Sequence, residues 1–111
     1  MEMQDRKAAK VQFKERKSSF GIFAVVCTAT GEVWVGTSRN LDAQKNSLWL
    51  SLRHGTSFFS TLRTAWALHG EREFRFEELD RLKDDFSEIL RANELKKRQI
   101  LWTERLQASS L

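Results

Sequence analysis

The stretch from Phe20 to Cys27 constrains the fold most, because almost every residue in it is apolar. A short apolar run without alternation predicts a strand covered on both faces, at the centre of a sheet. Thr28-Ala29-Thr30-Gly31 supplies a turn, and Glu32 to Gly36 returns as the second strand of a hairpin. Gly36 is expected to end that strand where the backbone turns sharply or passes close to another group.

The remaining segments read as helices around one more strand. Asp5 to Lys17 predicts a helix with a basic surface that includes Lys10 and Lys14, and a thin apolar stripe of Ala9 and Phe13. Asn40 is a suitable N-cap for a helix to about His54, with Leu41, Leu48 and Leu52 on one face and Gly55 at its end. A second helix is expected from about Ser57 to Leu68, with Phe58, Leu62, Ala65 and Trp66 inward. Phe74 to Glu77 alternates at period two, as a one-faced strand does. Beyond it, Leu82, Phe86, Ile89 and Leu90 form one helical stripe, and Leu95, Trp102 and Leu106 another. The two stripes do not join, which predicts a break at Ala92-Asn93 with Asn93 capping a final helix.

The order is therefore αββααβα(α), an α+β arrangement of a small three-stranded antiparallel sheet flanked by helices. At 111 residues the chain is one domain. Residues 1–19 are expected as a basic N-terminal helix, 20–108 as the domain proper and 109–111 as a frayed tail.

Composition narrows the function classes. Cys27 is the sole cysteine, so there is no intrachain disulfide, and with two histidines the chain lacks the donors of a cysteine/histidine zinc site. No run approaches the roughly 18 apolar residues of a membrane span, and the charged N-terminus does not read as a signal peptide, so no membrane partner and a cytoplasmic location are expected. A net charge of +4 and a pI near 9.6 favour polyanionic partners.

Ten residues separate Gly21-Ile22-Phe23 from Trp34-Val35-Gly36. This pair resembles the two tripeptides of the GIY-YIG nuclease superfamily, with another aromatic at each place where the family has tyrosine. The resemblance extends through Thr37-Ser38-Arg39-Asn40-Leu41, similar to the polar stretch after the second tripeptide. It continues through Leu62, Trp66, His69-Gly70 and Phe74-Arg75-Phe76, covering residues 20 to 79 and, more loosely, the final helix. It implies the same sheet-and-helices fold.

The resemblance also implies a set of catalytic positions. Phosphodiester hydrolysis needs an activated water, a cation at the phosphoryl oxygens and help for the leaving oxygen. In the family, the tyrosines lie at the water, an arginine eight residues after the second tripeptide contacts the phosphate, and a late glutamate holds one divalent metal. Carried over, the tyrosine positions fall on Phe23 and Trp34, and this chain has no tyrosine at all. The arginine position falls on Gln44, which lacks a charged fork. A helical histidine position falls on Leu48. Three residues before Trp102, the metal-glutamate position falls on Gln99, and Glu94 is the alternative carboxylate.

The expected function is a nuclease-like domain with a largely lost active site, binding DNA or RNA backbone without cleaving it and without a cofactor. Arg39, Asn40, Arg53, Arg63, Lys10 and Lys14 are the expected contacts. Two alternatives stay open: a divergent endonuclease with Mg²⁺ or Mn²⁺ on Glu94, and a protein-interaction module on the same fold.

Overall fold

The computed structural model describes residues 19–83 and 87–111. The expected basic helix with Lys10 and Lys14 lies outside the described residues, as does Phe86.

A four-stranded sheet runs in the order β3-β1-β2-β4. Its centre is β1 (Gly21–Cys27), paired antiparallel with β2 (Val33–Ser38) on one side and β3 (Phe74–Arg81) on the other. The reason is the one visible in the sequence: Phe23, Val25 and Cys27 enter one core cluster, while Ile22 and Ala24 enter a second. Gly31, at φ 83°, closes the hairpin as its N–H donates to the Cys27 carbonyl at 2.7 Å.

Two helices cover the first face. In α1 (Leu41–Arg53) the Asn40 side chain accepts the Ala43 N–H, and Leu41, Leu48, Trp49 and Leu52 are buried. The second, α2 (Ser60–His69), buries Leu62, Ala65 and Trp66. It starts three residues later than expected, because Ser57 is buried and its hydroxyl takes the Phe59 N–H in a local turn before the helix. Phe58, expected inward, is 96% exposed. A short 3₁₀ turn, Glu71–Glu73, leads into β3.

The other face carries one helix. The expected break at Ala92-Asn93 is absent: α3 runs unbroken from Glu88 to Leu106. Its cap is Ser87, whose hydroxyl accepts the Leu90 N–H, and not Asn93. Leu82 is buried in the second cluster just past β3, and Ile89 and Leu90 are exposed, so the first expected stripe does not exist. The inward face of α3 instead combines Leu95 and Trp102 with the polar Arg98 and Gln99.

The last three residues do not fray. Ser109–Ser110 forms β4, parallel to β2, and the Leu111 N–H donates to the Val35 carbonyl at 2.8 Å. This short strand is the difference from the three-stranded expectation. Among the described residues no helix is long and apolar enough to cross a membrane.

Candidate nucleic-acid interface

Antiparallel register places the two tripeptides side by side, with Phe23 opposite Gly36 and Val25 opposite Trp34. Phe23 is 1% exposed and stacks on Phe76 with ring centroids 5.2 Å apart. Trp34 is equally enclosed, and its indole N–H donates to the Thr61 hydroxyl at 3.0 Å. Neither ring carries a group that titrates or relays a proton.

The polar positions that follow are engaged within the fold. The Ser38 hydroxyl donates to Gln44 Oε1 at 2.7 Å and accepts the Asn40 N–H at 3.0 Å. Gln44 is thereby tied to the end of β2, and Asn40 spends its side chain on the start of α1. Leu48 is buried. Gln99 reaches the open edge of β2, where its Nε2 donates to the carbonyls of Val35 and Leu111 at 3.0 and 3.2 Å. Phe23 and Trp34 thus share one core cluster, while Gln44 sits at the end of β2 and Gln99 at the edge of that strand.

The candidate metal carboxylate is also committed. Glu94 Oε2 accepts from Arg98 Nε at 2.7 Å, and Oε1 lies 3.8 Å from Lys97. Arg98 also donates to Asp80 at 2.8 Å, and the other Asp80 oxygen takes the Trp102 indole N–H. The hydrogen bond to Glu94, with the two nearby carboxylate charges, raises the Arg98 pKa above its ordinary range. Among the described residues no group of three or more His, Cys, Asp or Glu is placed to hold a metal ion. A divalent ion on Glu94 would have to compete with Arg98 and Lys97 for its two carboxylate oxygens.

The expected cationic contacts separate. Arg53 forms a two-pronged pair with Glu71 at 2.9 and 2.7 Å, which holds the Glu71 carboxyl below its usual range. Arg63 donates to the Ser57 carbonyl at 2.7 Å, bracing the turn before α2. Arg53 and its partner Glu71 line a cleft of about 430 Å³ beside Trp49 on α1. Arg39 enters a separate one, of about 460 Å³, between the end of β2 and the first half of α3.

That cleft brings together what hydropathy could not. Arg39 lines it with Arg91 and Lys96, and Glu88 is the one carboxylate on the wall among the described residues. Phe20, Ala92 and Leu95 supply apolar surface, and Thr37 and Gln99 neutral polar groups. The Arg91 guanidinium lies over the Phe20 ring, 4.3 Å from its centroid. Sequence reasoning had Thr37 and Arg39 but missed Arg91 and Lys96. Their signal was the three- to four-residue spacing of Glu88, Arg91 or Ala92, Leu95 or Lys96, and Gln99, which is one side of a helix.

No protein-family model matches the sequence, and no curated protein does. Among solved structures the chain is similar to the catalytic domain of homing endonuclease I-TevI, with TM-score 0.67 and 18% identity over 86% of this chain and 98% of that one. It is also similar to a mutant of the same intron-endonuclease domain, with TM-score 0.67 and 18% identity over 82% of this chain and 86% of the other. The chain has the fold of the GIY-YIG nuclease catalytic domain.

Proposed function

We propose that this domain binds nucleic-acid backbone through the cleft between β2 and α3, and does not hydrolyse it by the chemistry of its fold relatives. One observation carries the reading. The positions where the family has tyrosine, tyrosine, arginine and glutamate hold Phe23, Trp34, Gln44 and Gln99, whose side chains are buried or hydrogen-bonded within the fold. Meanwhile Arg39, Arg91 and Lys96 line one open cleft. Removing the groups that activate water while keeping cations leaves electrostatic attraction for phosphates without a route to cleavage. The excess of basic residues over the whole chain agrees with a polyanionic partner.

The test combines supercoiled plasmid and labelled oligonucleotides with the purified protein, in Mg²⁺, Mn²⁺ or EDTA, across a salt series. Binding that weakens with salt, with the plasmid left intact in either metal, is the expected result. Nicking that EDTA and Glu94→Ala both abolish would establish the metal-dependent endonuclease instead. No salt-dependent binding to any nucleic acid would leave a protein partner as the reading.

A further inference from the structure

We propose that the β2–α3 cleft is a nucleotide pocket, taking one unpaired base of a single-stranded nucleic acid while the flanking phosphates lie on Arg39 and Lys96. This deepens the backbone-binding reading and rests on it. Three observations on the cleft converge.

The first is shape. At about 460 Å³ the cleft has the size of a small-molecule pocket, a class spanning roughly 300–1,000 Å³. A duplex presents paired bases inside a convex backbone and leaves such a pocket unfilled. A single strand can turn a base into it.

The second is the wall. Ala92 and Leu95 offer apolar contact, and the Arg91 guanidinium over Phe20 forms a two-layer plate at the same cleft. A base stacks on such a plate through its π face whatever its identity, and a guanidinium plane is a good stacking partner. The cations stand beside this wall, as a base and its own phosphate require.

The third is Gln99. Its Nε2 faces two backbone carbonyls, which are acceptors only, so the amide orientation is fixed. Oε1 is thereby left as an acceptor that takes no hydrogen bond from the described residues, on a side chain that lines the cleft. A fixed acceptor favours a base with an exocyclic amine. Cytosine presents one at N4, where thymine presents a carbonyl oxygen.

Fluorescence anisotropy in EDTA with the full chain tests this, using labelled oligo-dC, oligo-dT and a duplex of equal length. The comparison variant is Ala92→Phe, an exposed helical position where a ring fills the cleft while the cations stay. Circular dichroism verifies its fold. Oligo-dC is expected to bind about tenfold tighter than duplex, the scale of one base stack, and several-fold tighter than oligo-dT. Ala92→Phe should lower single-strand affinity far more than duplex affinity and so erase the preference for single strands. Equal affinity for single strand and duplex overturns the pocket and leaves backbone binding standing. So does a preference that survives Ala92→Phe, or a loss that duplex shares equally. Equal binding of oligo-dC and oligo-dT overturns the assignment of Gln99. Binding to none of the three removes the backbone reading as well.

Discussion

The Cζ of Phe23 lies 2.7 Å from the point a Cβ on Gly36 would occupy. The aromatic end of the first tripeptide thus rests on the glycine that ends the second, across the register that pairs them. The same missing Cβ would stand 3.3 Å from Leu111 Cβ, so the ring and the tail close on Gly36 together. Gly36→Ala is expected to destabilise the domain by about 1–3 kcal/mol, the usual cost of overfilling a packed core. Phe23 has little freedom to yield, because its other side is stacked on Phe76. Urea denaturation of the variant beside wild type measures this. An unchanged midpoint would show that the ring is not held against the glycine.

Gln99→Glu restores the family's residue type at its matching position, and the structure makes that change costly. Both carbonyls that now accept from Nε2 would face a carboxylate oxygen, which donates nothing. The expected penalty at pH 7 is about 1–3 kcal/mol, from lost hydrogen bonds and repulsion. Protonation supplies a donor again, so the folded state raises the new carboxyl's pKa above its unfolded value. The penalty is full above that raised pKa and shrinks as pH falls toward the unfolded value. Thermal melts of both proteins from pH 7 to pH 4 should show the gap in Tm closing. No metal-dependent nicking is expected from the variant.

The parts of this fold that were legible are those where hydrophobicity alone decides. Phe20 to Cys27 is apolar throughout because β1 is covered on both faces, and the Asn40 and Gly55 signals bracket α1 because they follow from backbone needs. What stayed hidden depends on polar groups used inward. The unbroken α3 was obscured because Arg98 and Gln99 occupy core-facing places and Ile89 and Leu90 do not. The strand β4 is two serines with no hydropathic signature, paired only because Val35 offers its open edge. In the cleft, Arg39 was readable as a cation, but its lining one cleft with Arg91 and Lys96 is set by the rotation of α3 against β2.

Arg98 links β3 to α3 through Asp80 and Glu94, all three side chains being about three-quarters buried. Arg98→Met keeps the stem and leaves two carboxylates with no guanidinium between them. The expected cost is about 1.5–3 kcal/mol, the scale of charged hydrogen bonds, read as a fall in Tm. Glu94→Gln should cost less, since it removes one charge and keeps an acceptor. Mg²⁺ should shift Tm no more in wild type than in Glu94→Gln. A Mg²⁺-dependent gain lost in that variant would identify Glu94 as a ligand.

Acid should loosen the outer strand slightly. The hydrogen bond from Arg81 holds the Glu78 carboxyl below its ordinary value, against a smaller effect of burial. A depressed carboxyl contributes stability that is complete above the unfolded pKa, about 4.3, and is lost as pH falls through the lower folded value. Both partners are well exposed, which limits the contribution to about 0.2–1 kcal/mol. Below pH 4.5, Glu78→Gln should therefore lose less stability than wild type on further acidification. Parallel pH–stability curves would show that the pair contributes nothing.

Arg39 and Arg53 carry the same charge and face opposite circumstances, which makes them a matched pair for the binding reading. Arg53 is already neutralised by Glu71 through two hydrogen bonds, while Arg39 stands in the cleft with no ion pair among the described residues. A cation that meets a phosphate releases counterions, and each such contact adds about 0.7 to the salt slope on a single strand. Arg39→Ala should lower the slope of log K against log salt by roughly that amount and weaken binding at every salt concentration tested. Arg53→Ala should leave both nearly unchanged, because a phosphate would first have to displace Glu71. The reverse ranking would move the interface to the α1 face of the sheet, away from the cleft.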